Sequence, residues 1–115
     1  MTEMEYQKRE SIHKKLLDEM HELYIKKNRD YGSSVTDTYE KFGLTSFLVR
    51  LSDKLNRVTN LTLNTKDNLV KDEKIQDTLI DLANYSILAL IELEMDKDKL
   101  CCEVKNEDDI GNLLD

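Results

Sequence analysis

Proline and tryptophan are absent from this chain, glycine occurs three times and cysteine twice. A sandwich or barrel of many short strands needs turn-forming residues at each reversal, so all-β architecture is excluded. Cys101 and Cys102 are adjacent, a spacing that suits neither a zinc site nor a disulfide framework, and they are expected to be idle thiols in a reducing cytosol. The roughly 20-residue apolar run that a bilayer span requires is also missing. The longest mainly apolar stretch, Leu79 to Leu93, carries Asp81 and Asn84. Nor is there an apolar signal region after Met1, so the expected protein is cytoplasmic (in a bacterial host cell if phage-encoded), with no membrane partner. Positive charge is in deficit: 17 Lys and Arg against 24 Asp and Glu give a net charge of -7. That balance repels a phosphate backbone, and no nucleic acid polymer is expected as a partner. His13 and His21 are eight residues apart with no cysteine nearby, which gives zinc little support. No GxGxxG, Walker loop or GxSxG occurs.

What remains is a 115-residue chain, 36% charged and 39% hydrophobic, whose apolar residues recur at helical spacing. The predicted fold is all-α: a small bundle of three main helices plus short helical segments. A chain this short buries only about two thirds of its unfolded surface, so oligomerisation would complete its core. The first helix is predicted from about Glu5 to Asp30, with Ile12, Leu16, Met20, Leu23 and Tyr24 on one side, ending near Tyr31-Gly32. Gly32 to Tyr39 has the composition of a loop, with a short helical turn conceivable over Thr36 to Phe42. A second helix begins at Thr45 or Ser46 and runs to about Leu61, followed by an Asn- and Thr-rich connector to Lys71. The third is expected from Asp72-Glu73, where negative charge suits the helix dipole, to about Glu94. It is apolar on nearly every side between Leu79 and Leu93 and so should be the most buried. One domain over residues 1–95 and a charged tail over 96–115 complete the organisation.

Three clusters can carry chemistry. In the third helix Glu73, Asp77 and Asp81 fall at i, i+4 and i+8, followed by Asn84 and Tyr85. Like charges one turn apart destabilise a helix, and a hard cation such as Mg2+ would compensate oxygen ligands; solvation and pairing with a neighbouring Lys or Arg would serve as well. In the second helix Arg50, Asp53, Lys54 and Arg57 recur at i, i+3, i+4 and i+7 opposite the leucine face. Asp53 can act as a further metal ligand while the cations hold phosphates, Arg in two-pronged geometry and Lys as a point charge. Intrahelical ion pairing on a wet surface is the ordinary alternative. The third cluster, Lys27-Asn28-Arg29-Asp30-Tyr31-Gly32-Ser33-Ser34, is dense in donors where the first helix ends, and suits either a nucleotide clasp or a plain helix stop. Glu19 and Glu22 lie on the polar side of the first helix and are expected to be solvated.

Taken in order, these three segments, the last running from Asp72 to Tyr85, resemble the nucleotide modification associated domain family, type one, found largely in phages and prophages. The resemblance covers about Leu16 to Leu93. The family is in turn similar to the MazG-like all-α nucleoside triphosphate pyrophosphohydrolases, helical bundles that assemble as dimers or higher oligomers. The resemblance implies Mg2+-dependent cleavage of a nucleotide to monophosphate and pyrophosphate, and a homo-oligomer. In the MazG-like pattern an ExxE on one helix faces an ExxD on the next. This chain departs from it, with Arg50-x-x-Asp53 on the second helix and either Asp81-x-x-Asn84 or the Asp77, Asp81 pair on the third. The family's aromatic after Gly-Ser-Ser is Val35 here.

The first functional expectation is therefore an enzyme acting on the nucleotide pool, on an NTP or a modified dNTP. Its Mg2+ would be held by Asp53, Glu73, Asp77 and Asp81, with Asp53, Asp77 and Asp81 serving catalysis. Arg50, Lys54 and Arg57 would stabilise phosphate charge, and Lys27, Asn28, Asp30, Tyr31, Asn84 and Tyr85 would contact the nucleotide. The second expectation is a protein that binds a nucleotide or cyclic-nucleotide immune signal of the host without cleaving it, which the incomplete acid set favours. A helical interaction protein with surface ion pairs is the third.

Overall fold

In the computed structural model the backbone is described over residues 1–31, 33–64 and 68–103, and the side chains over 1–29, 33–64 and 72–99. Four helices follow one another: α1 (Glu3–Tyr31), α2 (Ser34–Phe42), α3 (Thr45–Asn64) and α4 (Asn68–Glu103). No strand occurs among the described residues, and the fold is all-α. The chain divides into two compact units, Met1–Thr38 and Tyr39–Asp115.

In the first unit, α1 starts on a reciprocal cap that the sequence spells as Thr-x-x-Glu. The Thr2 amide donates to the Glu5 carboxylate at 2.8 Å, and the Glu5 amide donates to the Thr2 hydroxyl at 3.2 Å. Two free amides at the helix start are thereby satisfied. Along α1 every described side chain is exposed except Met20, Leu23, Tyr24 and Lys27, which are half-buried. Glu19 and Glu22 are exposed as expected, and Glu19 sits 3.8 Å from Lys15 one turn back.

The sequence departs from the structure at α2. Composition suggested a loop over Gly32 to Tyr39 with a short helical turn over Thr36 to Phe42; the helix is there, but it starts earlier, at Ser34, and runs to Phe42. Local bonds outweigh the weak propensity of Ser, Val and Thr: the Asp37 amide donates to the Ser33 carbonyl at 2.8 Å, and the Ser33 hydroxyl to the Asp37 carboxylate at 3.2 Å. The helix stops at Gly43, whose φ of +66° is a conformation costly to any residue with a Cβ, and whose amide donates to the Tyr39 carbonyl at 2.7 Å.

In the second unit the extensive helix–helix packing among the described residues is between α3 and α4. Lys54 meets Asp81 and Arg50 meets Tyr85; four residues back along α3 match four forward along α4, so the two helices are antiparallel. Phe47 and Ala89 are buried there, as is Thr78, whose hydroxyl donates to the Lys74 carbonyl at 2.7 Å.

Helix α4 begins before the expected Asp72 and continues past the expected Glu94 to Glu103. The expected tail thus enters the helix over 96–103, while residues 104–115 lie outside the described part. Its extension is anchored: the Tyr39 hydroxyl donates to the Asp96 carboxylate at 2.6 Å, and Tyr39 packs on Phe47 with ring centroids 5.8 Å apart. The bond to Asp96, then desolvation, raise the Tyr39 phenol above its ordinary 10.0. A proton held more tightly in the folded state stabilises the fold below the unfolded-state pKa and ceases to do so as pH rises through the folded value. Thermal melts between pH 8 and about 10.5 should therefore show the wild type losing stability more steeply than Tyr39→Phe. Parallel slopes would remove the clasp from the account.

Candidate functional site

The α3 stripe faces a groove against α4. Along α3, residues 50, 54, 57 and 61 recur at intervals of four, three and four, one side of a helix with 3.6 residues per turn. In the antiparallel arrangement they oppose Tyr85, Asp81, Thr78 and Lys74 in turn. Arg50, Asp53, Lys54, Asn56, Arg57, Asn60 and Leu61 from α3 and Lys74 and Tyr85 from α4 line one open cavity of about 610 Å³. That volume lies within the ordinary range for a small-ligand pocket.

Four cations and one acid thus border a single cavity on an acidic protein. Lys54 and Asp81 are joined by a 3.0 Å ion pair, the ammonium donating to the carboxylate, and both side chains are about two-thirds covered. The Arg50 guanidinium carbon stands 6.0 Å from the centre of the Tyr85 ring, an interaction of about 0.5–1 kcal/mol at exposed sites. Arg50 and Arg57 are both exposed.

Of the residues singled out in the sequence, Arg50, Asp53, Lys54, Arg57 and Tyr85 border one cavity, with Asp81 paired to Lys54. Asn84 is half-buried on α4 and is not among the residues bordering the cavity. Lys27 and Asn28 sit in the last turns of α1, and the side chains of Asp30 and Tyr31 lie outside the described residues. Of the four acids expected at Mg2+, Asp53 borders the cavity. Glu73 and Asp77 are exposed, Asp81 is engaged by Lys54, and no group of three acidic, His or Cys side chains suited to a metal occurs among the described residues.

Lys74, Asn56 and Asn60 also border the cavity, and the sequence pattern did not single them out. The signal for Lys74 was present. Seven residues return a helix to within about 20° of the starting direction, whereas eight overshoot by about 80°. Lys74, at seven before Asp81, therefore shares its direction, and Glu73, at eight, does not.

The model of the family described as Nucleotide modification associated domain 1 matches residues 27–93. This match spans more than half of the chain and includes the whole α3 stripe and the α4 residues opposite it. The chain belongs to the nucleotide modification associated domain 1 family. No curated protein and no solved structure matches the chain. As a member of the nucleotide modification associated domain 1 family, the chain carries its groove inside the family's own segment, whereas most of α1 precedes it. None of the helices, among the described residues, is long and apolar enough to cross a membrane.

Proposed function

We propose that the protein binds a nucleotide or cyclic nucleotide in the α3–α4 groove, in the cytoplasm, and sequesters it without turning it over. The observation that carries this is the convergence of Arg50, Lys54, Arg57 and Lys74 on one cavity of a chain with net charge -7. Cations gathered against the overall charge suit a compact anion. In this assignment Arg50 and Arg57 bind phosphate oxygens in two-pronged fashion, and Lys54 and Lys74 add point charges. Tyr85 offers a ring face, and Asn56 and Asn60 offer amides for a base or sugar edge. Recognition is favoured over Mg2+-dependent hydrolysis because four cations and a single carboxylate, Asp53, border the cavity, Asp81 is held by Lys54, and Arg50 stands where the MazG-like pattern has an acid.

The test is incubation of the pure protein with nucleoside triphosphates, modified deoxynucleotides and cyclic dinucleotides, with and without Mg2+, followed by chromatography before and after heat denaturation. Binding predicts depletion of an intact ligand that returns on heating. Metal-dependent release of monophosphate and pyrophosphate would replace this proposal with the hydrolase. A ligand pool left unchanged throughout would remove both.

Asp81 supplies a second discrimination. Its carboxylate occupies the Lys54 ammonium at 3.0 Å, where it competes with a ligand phosphate. Asp81→Asn is expected to tighten phosphate-ligand binding several-fold, roughly the 1 kcal/mol scale of a partly exposed ion pair. Loss of binding in Asp81→Asn, measured by calorimetric titration, would show that the acid serves the ligand rather than opposing it.

A further inference from the structure

Residues 3–26 of α1 precede the segment matched by the family model. Ile12, Leu16 and Leu17 are 47%, 46% and 49% exposed, and Met20 and Leu23 only half-buried. Ile12, Leu16, Met20 and Leu23 fall at i, i+4, i+8 and i+11, one continuous apolar seam. A helix in water gains most of its stability from covering such a face, and here Ile12 and Leu16 stay about half exposed. The charges beside it indicate what covers it. Lys8 and Lys15 precede Leu16 on one edge of the seam, and Glu19 and Glu22 follow it on the same edge. A parallel copy of α1 would turn this charged edge toward the opposite edge, which carries Tyr6, His13 and Leu17, whereas an antiparallel copy centred on Leu16 turns it toward itself and sets Lys15 beside Glu19 and Lys8 beside Glu22, twice over by symmetry. Glu10 lies on the other edge, away from Glu22. In the same register Ile12 meets Met20 and Leu16 meets Leu16, while Leu23 falls opposite Arg9 at either end.

We propose that α1 pairs with α1 of a second copy of this chain in an antiparallel seam centred on Leu16. The sedimentation mass of the full chain should correspond to two chains at micromolar concentration. Glu19→Lys with Glu22→Lys places like charges along the seam and should raise the dimer dissociation constant about tenfold or more. Adding Lys8→Glu and Lys15→Glu to that variant restores opposite charges only for antiparallel helices, and should return the constant to within about threefold of wild type. All these positions are exposed, and circular dichroism verifies that each variant keeps its helices. A wild-type mass of one chain, or a fourfold variant no tighter than the twofold one, would overturn the seam. Orientation is read separately. With Cys101→Ser and Cys102→Ser as background, a mixture of Ile12→Cys and Met20→Cys proteins should oxidise to the 12–20 linked pair; 12–12 linkage would overturn the antiparallel arrangement.

Discussion

Arg57→Ala is expected to weaken binding of a nucleoside triphosphate or cyclic nucleotide about ten- to a hundredfold. Charge-assisted hydrogen bonds contribute roughly 1.5–3 kcal/mol each, and each 1.4 kcal/mol is about a factor of ten. Arg57 is exposed and borders the cavity midway along the α3 stripe. Its removal should therefore leave the melting temperature nearly unchanged while the dissociation constant moves. Arg57→Lys keeps the charge and loses the fork, and should recover only part of the loss. Calorimetric titration against the nucleotide that the wild type retains decides the matter. An unchanged dissociation constant in Arg57→Ala would remove the phosphate clamp, and an equal fall in melting temperature would make Arg57 a structural residue.

Phe47→Ala should have the largest effect on stability. Phe47 is 3% exposed, the most deeply covered apolar side chain on α3, and Tyr39 packs against it. Truncating a buried Phe costs about 3–5 kcal/mol through lost burial and the cavity left behind, a large share of the roughly 5–15 kcal/mol available to a small protein. Thermal melts should show a fall of roughly 10–20 °C, whereas Phe47→Leu, which fills most of the space, should fall far less. A drop of only a few degrees in Phe47→Ala would mean that the second unit is held together elsewhere.

The helices and the cation stripe were legible in the sequence because both are periodic. Leu48, Leu51 and Leu55 set the helical register, and Arg50, Lys54 and Arg57 kept to one side of it. The start of α2 was not legible, because Ser34, Val35 and Thr36 disfavour helix and are held by contacts around Ser33 and Asp37 that composition does not display. The far end of α4 was hidden for a similar reason: Tyr39 anchors Asp96 from 57 residues away. For the carboxylates, a spacing of i, i+4, i+8 looked like a single line although it winds around the helix. The pairing of Asp81 with Lys54 required knowing how α3 and α4 meet.

The groove has a kinetic consequence that follows from its setting. An anionic ligand far from the surface meets the field of the whole acidic protein and is repelled; within a few ångströms it meets Arg50, Arg57 and Lys74 and is attracted. Dissolved salt acts on these two fields unequally. At about 10 mM the screening distance is roughly 30 Å, so the repulsion reaches across the molecule, while at physiological strength it is about 8 Å, the scale of the groove. Moderate salt thus lifts the barrier to encounter before it loosens a bound state, and the anion proposed for the groove is expected to be captured fastest at an intermediate ionic strength rather than in dilute buffer.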